Sequence, residues 1–421
     1  MRYYLTALIV AVAFGIPWIV ANDPEGVNGL IAAVQRAGEQ AAAVIISHNP
    51  VTIADLHSDY TAAALPDSPK KIRILVVPGH EPDYGGAEYQ SSFGRIKERD
   101  LTVELAADLE SFLQSDARFQ VFASRDANGW TPTFADYFKN GWNDIVAWEQ
   151  ANKEQFTSLV KAGSVRQAPA TVVHADAPTD VALRLYGIDK WANENDIDIM
   201  IHVHFNDYPG HGSGPGKYTG FAIYIPEKQY ENSTTTAALA DGVFKRLSAF
   251  NPVSDLTGES DGIVPDPDLI ALGAFDSVNA ASMLVEYSYI YEPQLDDPAT
   301  RSIFLNDLAY QTYLGIRDFF EPGSAGPGVY GTAALPHTWA SPMSAGGAAS
   351  ADVFALQSAL IQDGDYPPAG SSLTDCPRTG KYGPCTTEAV LQFQKKHGIA
   401  GANGNAGPAT VAELNSLFSA R

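Results

Sequence analysis

Two histidines and two glutamates stand where apolar runs give way to turns. His80 lies in Val77-Pro78-Gly79-His80 and Glu98 in Glu98-Arg99-Asp100-Leu101. His204 lies in Ile201-His202-Val203-His204-Phe205-Asn206 and Glu286 in Leu284-Val285-Glu286-Tyr287. Two imidazoles and a carboxylate are a donor set for zinc that leaves one coordination position for water. Zinc so held lowers the pKa of bound water towards ~7, and a further carboxylate can act as general base. Glu286 suits that part, because it follows the apolar Met283-Leu284-Val285 and a buried carboxylate needs a partner. Each residue also has a plain reading. His80 could be a loop residue, Glu98 a helix-start charge favoured by the helix dipole, and Glu286 half of an ion pair. Their joint appearance at strand ends is what points to a site. His202 is a rival ligand, since two residues along a strand project to one face. His204 is preferred as nearer the strand end; His202 and Asn206 then become candidates to hydrogen-bond a ligand or the substrate. His211 reads as a loop residue within reach of a substrate, and His174, His337 and His397 fall outside the pattern.

These residues need a frame. Ile72 to Val77, Phe119 to Ala123, Ile197 to His204, Gly220 to Ile225, Leu269 to Phe275 and Ala281 to Tyr289 read as strands. Between them, Asp100 to Leu113, roughly 134–162, roughly 179–195, Thr234 to Phe250 and Ile303 to Phe320 read as helices. Strands alternating with helices predict an α/β domain over 71–321, its mostly parallel sheet flanked by helices. In such sheets the site lies beyond the strand C-termini, where His80, His204 and Glu286 fall.

Residues 1–21 carry Arg2 and an apolar run from Leu5 to Ala21, the pattern of a signal peptide or a membrane anchor. Either reading puts the rest of the chain outside the cytoplasm: periplasm, cell wall or secreted. Residues 22–70 read as a spacer, helical from Val27 to Ile46 and loop from Pro50 to Lys70, with His48 and His57 on the surface. Residues 322–350, rich in Gly, Ala, Pro and Ser, read as a linker. Residues 351–421 read as a small all-α module with an internal echo: Gly380 to Thr386 is repeated as Gly404 to Thr410, each running into a helix whose first turn the Thr would cap. The 421 residues carry a net charge of −22, which argues against nucleic acid as a partner. The two cysteines, Cys376 and Cys385, are too few for a thiolate zinc site; outside the cytoplasm they could form a disulfide.

Residues 71–321 resemble the zinc-dependent N-acetylmuramoyl-L-alanine amidases. The resemblance is carried by Pro78-Gly79-His80, Gly86-Ala87, Glu98-Arg99-Asp100, Ser124-Arg125-Asp126, Ala192-Asn193, His202 to Asn206 and Met283 to Glu286. It implies zinc on His80, Glu98 and His204, with Glu286 as the catalytic glutamate, and it aligns the family's serine with His202. The chain departs from the family at Val77, at Glu81, at Ser288 to Glu292, and in a long insertion after Asp126 that could form a lid. Residues 351–421 resemble the small peptidoglycan-binding module, through Leu356-Gln357, Gly380 to Thr386, Phe393-Gln394 and Gly404 to Thr410, with binding expected on surface loops near Tyr382. Together the resemblances imply a peptidoglycan hydrolase that cuts between N-acetylmuramic acid and L-alanine, with N-terminal membrane tethering as an option. Two other readings stay open: a catalytically degenerate wall-binding protein, and a zinc hydrolase cutting another wall bond.

Overall fold

The computed structural model describes residues 49–322 and 331–420 except 66, 173, 175, 176, 213 and 215. The leader (1–21) and the helical reading of Val27 to Ile46 lie outside the described residues. In chain order the catalytic part comprises α1 (Ile53–Ala63), β1 (Ile72–Pro78), β2 (Glu88–Ser91), β3 (Gly94–Lys97), α2 (Glu98–Gln114), β4 (Phe119–Ala123), β5 (Arg125–Asp126) and β6 (Gly129–Trp130). It continues through α3 (Pro132–Ala162), α4 (Thr179–Glu194), β7 (Ile199–Asn206), β8 (Ala222–Pro226), α5 (Ser233–Ser248), β9 (Ile263–Asp266), β10 (Ala281–Tyr289), α6 (Pro293–Asp296) and α7 (Pro298–Phe320). The C-terminal part holds α8 (Ala351–Asp363), α9 (Pro384–Lys396) and α10 (Pro408–Phe418).

Six strands form one sheet in the order β4-β1-β7-β10-β8-β9. It is parallel apart from the β10–β8 pairing. All nine residues of β10 are buried, as expected for a central strand covered on both faces. Strand alternation divides the core in two. Ile74, Ile201, Met283 and Val285 meet α2, α5 and α7 on one face. Val77 and Met200 meet Phe134 and Phe138 of α3 and Trp191 of α4 on the other. Register sets Val77, His202 and Leu284 side by side, with His204 beside Glu286, so these side chains share the α3–α4 face.

Two local readings change. Leu269 to Phe275 is not a strand but two short 3₁₀ turns, Ile270–Leu272 and Ala274–Asp276, hinged at Gly273 with φ of 86°. The stretch is apolar because Ala271 and Leu272 pack on the sheet, which periodicity alone cannot tell from strand pairing. Pro50 to Lys70 is not all loop: Thr52 and Asp55 make a reciprocal capping box that starts α1. Leu56 and Tyr60 of α1 enter the main core, and the His57 ring lies 4.9 Å from Phe319.

In the C-terminal module the echo has a structural cause. Gln357 donates to the Lys381 carbonyl and to Thr386 Oγ1, and its own oxygen accepts from Gly380 N. Gln394 does the same with the Asn405 carbonyl, Thr410 Oγ1 and Gly404 N. The threonines therefore serve these glutamine clamps; the caps themselves are Gly383 and Gly407, each followed by Pro at the first helical position. Tyr382 is no surface group either: it is buried in the module core and donates to the Gly404 carbonyl. Cys376 and Cys385 form a disulfide. Trp339 is also buried in this core.

Candidate functional site

The site begins with a turn. β1 ends at Pro78, and His80 adopts a positive φ of 69°. Arg125, 2% exposed, holds that turn: its guanidinium donates to the carbonyls of Pro78 and Gly79. It also reaches the Arg99 carbonyl at the start of α2. A Cβ on Gly79 would fall 2.5 Å from the His204 ring, and one on Gly86, at φ of +81°, would fall 2.9 Å from His80 Cδ2. Glycine at both places lets the backbone pass close behind the two imidazoles.

Glu98 is the first residue of α2. Its Oε2 accepts from Ala87 N at 2.8 Å and its Oε1 from Phe205 N at 3.1 Å. Glu98 Oε1 also lies 2.7 Å from His80 Nε2 and 3.2 Å from His204 Nδ1. His80, Glu98 and His204 each present a donor atom, all within 4.8 Å of one another. His202 is not in that cluster; it is 1% exposed, and its Nε2 is buried with no partner among the described residues. Burial pushes the Glu98 carboxyl up, but its contacts with His204 and His80 outweigh it and hold it below its ordinary range. Burial lowers His204, and it pushes His202 down to about 3.

The donor set fits zinc. Two imidazoles and a carboxylate converge, and His80 Nε2 lies close to Glu98 Oε1 outside hydrogen-bond geometry. Donors around a tetrahedral zinc at about 2.0–2.1 Å stand about 3.3 Å apart, the same scale as these contacts.

Glu286 sits one strand over, paired in register with His204. Its Oε2 is buried with no partner among the described residues. Burial, then the charges of Glu98 and Glu259, raise it well above the usual carboxylate range. Glu259, 1% exposed, accepts from Asn206 Nδ2 at 2.8 Å, Tyr224 OH at 2.6 Å and Tyr289 OH at 3.1 Å, and from Ser254 Oγ. Asn206 is thus held by Glu259. These groups open on a cavity of about 900 Å³ that His80, Glu98, His202, His204, Asn206 and Glu286 help to line. His211 is set apart, its Nε2 2.8 Å from Asp207 Oδ1 and its ring against Tyr291.

A model of the N-acetylmuramoyl-L-alanine amidase family matches residues 74–318, more than half of the chain. The chain belongs to this family. A putative peptidoglycan-binding domain matches residues 349–414. The amidase is similar to the N-acetylmuramoyl-L-alanine amidase of Clostridium difficile 630, at 15% identity over 60% of this chain and 98% of that one, with a TM-score of 0.37. It is likewise similar to Ami1 of Mycobacterium smegmatis (15% identity, 60% and 99% coverage, TM-score 0.38) and to AmiC2 of Nostoc punctiforme (16%, 60% and 98%, TM-score 0.36). No curated protein matches it. As a member of a zinc-dependent family with a His-Glu-His cluster, the amidase is a zinc hydrolase of the cell wall. Its peptidoglycan-binding domain and its disulfide place it outside the cytoplasm.

Some parts of the site were not foreseen. Arg125 appears in the sequence only as part of a motif, with no sign of the turn it braces. The segment between α3 and α4 crosses the sheet face, and its Val172 packs on the cluster around Tyr224. It brings His174, which the sequence pattern left aside, into the cavity wall. Glu81, the residue after His80, pairs with Arg184 of α4 at 3.1 Å, tying the metal-site loop to that helix.

Proposed function

We propose that His80, Glu98 and His204 hold the catalytic zinc and that Glu286 is the general base of the amidase. The observation that carries this is convergence: three donors from the turn after β1, from α2 and from β7 meet in one cavity, with a carboxyl on the adjoining strand whose Oε2 has no partner among the described residues. Zinc held there supplies a Lewis acid that polarises the amide carbonyl and makes a water more acidic. Glu286 takes the proton of the attacking water and passes it to the leaving nitrogen of L-alanine. Burial raises that carboxyl, which makes it a stronger base once ionised and able to hold the proton until it passes to the leaving nitrogen. His202, neutral and with Nε2 unpaired, stands beside the cluster to hydrogen-bond substrate or a ligand. Glu259 keeps the Asn206 amide fixed at the strand end.

The C-terminal module holds the enzyme on its polymer and raises the local substrate concentration. The apolar run of residues 1–21 acts as export signal or as tether; N-terminal sequencing of the exported protein separates the two.

The test is hydrolysis of purified walls followed by mass analysis of the products. Glu286→Ala should retain zinc and lose release of peptides beginning with L-alanine. Full activity in that variant would remove Glu286 as the base, and products cut elsewhere would change the bond assigned.

A further inference from the structure

The cavity runs well past the metal ligands. His80 follows β1 and Asp266 ends β9, four strand spacings apart in the sheet, or about 19 Å at the usual ~4.8 Å per strand. Both line the same cavity. Hydrolysis at the zinc end makes no use of what stands at the β9 end.

Asp266 is 1% exposed. Its Oδ1 accepts from the backbone N–H groups of Asp268 at 2.8 Å and Leu269 at 2.9 Å. Its Oδ2 has no partner among the described residues. His174, carried in by the segment between α3 and α4, lines the same cavity with its ring edge-on to Tyr224 at 4.9 Å. Its Nε2 is likewise buried and has no partner among the described residues. Asp268 adds a second carboxylate to this end. Among the described lining residues the one Lys or Arg is Arg184, which is engaged with Glu81 on the β1 side. A buried carboxylate oxygen and a buried ring nitrogen, on two residues that line the same cavity, are both costly unless something arrives to pair with them.

We infer that Asp266 and His174 form a subsite for a nitrogen group bearing two or more hydrogens, an ammonium or a primary carboxamide, on the peptide side of the substrate. A carboxylate oxygen offers only lone pairs, so the ligand must donate. A neutral His174 accepts a second hydrogen at Nε2 when Nδ1 carries its proton; burial lowers its pKa and favours that neutral form. The muramic acid side of the scissile bond offers hydroxyls and a secondary amide, whereas a stem peptide can carry an amine or a carboxamide. The assignment to peptidoglycan rests on the amidase reading; the need for a donor rests on the cavity alone.

The decisive substitution is Asp266→Asn. The two backbone N–H groups keep the amide oxygen, which turns the NH₂ towards the cavity and replaces an acceptor with a donor. His174→Phe is the companion, keeping a ring against Tyr224 without its nitrogens. The full-length, zinc-loaded protein is titrated calorimetrically with L-Ala-γ-D-Glu-L-Lys peptides whose ε-amine is free or acetylated. A second pair carries D-isoglutamine or D-glutamate with the amine acetylated in both. The wild type should prefer the free amine or the carboxamide by at least about tenfold. Which pair shows the preference identifies the source of the nitrogen. Asp266→Asn should abolish the preference and His174→Phe should reduce it. Equal affinities in the wild type, or a preference untouched in both variants, would overturn the subsite. So would variants that change only the melting temperature, which would make Asp266 and His174 a clasp between segment and sheet. Hydrolysis of the N-acetylmuramoyl tripeptide is followed in parallel. Preference without turnover would sink the amidase reading and keep the subsite; turnover without preference would do the reverse.

Discussion

Glu286, within β10, is a carboxyl with little to hold a negative charge. Its Oε2 is unpaired, and Glu98 and Glu259 both act to keep it protonated, after burial itself. Its folded pKa lies above the ordinary 4.5, so its contribution to stability is full below about pH 4.5 and is lost as pH rises through the folded value. Glu286→Gln keeps the shape and removes the titration. In metal-free protein this substitution should raise the melting temperature at neutral pH, with the gain fading towards pH ~4. Thermal melts across pH would check this, and a gain that is constant with pH would mean that burial of the charge is not its source. On its proposed role as general base, the same substitution should abolish hydrolysis, a gain in stability at the expense of activity.

At the scale of elements, the metal site depends on how β1 stops. Pro78 and Gly79 turn the chain, Arg125 holds their carbonyls, and His80 is left pointing at the N-terminus of α2. Gly79 backs directly onto the His204 ring. Gly79→Ala should push that ring off its position while leaving the sheet intact. Zinc affinity should then fall by at least about tenfold, the lower end of what disturbing a ligand's support costs. Competition with a chelator would measure this, with far-UV circular dichroism expected to stay unchanged; wild-type affinity in the variant would show that the contact is slack. The loop after β7 is held differently, by Glu259 gathering Asn206, Tyr224 and Tyr289 from three strands. Asn193 fixes the approach to β10 by donating to the Ser277 carbonyl and accepting from Asn279 N.

Across the whole described unit, the catalytic part and the module share core. Phe354 of α8 belongs to the same buried cluster as the sheet and α7. Arg378 of the module is 2% exposed and donates to Asp307 of α7 at 2.6 Å and to Ser358 Oγ at 2.9 Å, with its guanidinium over Phe354. Asp307 is completed by Thr332 Oγ1, Ala333 N and Gln311 Nε2. Breaking one side of such a buried pair costs roughly 3–5 kcal/mol, because the other charge is left uncompensated. Arg378→Met should therefore loosen the module. Calorimetry should show one melting transition in the wild type and two in the variant, and Asp307→Leu added to Arg378→Met should recover part of the loss. A single unshifted transition in Arg378→Met would show that apolar packing alone joins the two parts.

What the amino-acid sequence determined by itself was local. Runs such as Ile72 to Val77 and Ala281 to Tyr289 announce buried strands because both faces must be apolar. Pro-Gly after the first run announces its end. The histidines and glutamates at such ends could be named before any contact was known, because catalytic side chains in a parallel sheet gather at strand C-termini. Tertiary structure decided what depends on strand order and on segments far apart in the chain. It set β1, β7 and β10 side by side, so that His80, Glu98 and His204 meet while His202 stays out of their cluster. It also reversed β8 against β10 and carried His174 across to the end of β9. Tyr382 went inside and Arg378 was buried against Asp307, neither of which its neighbours in sequence foretell. Periodicity reports which side of an element is buried; only the packed fold says against what.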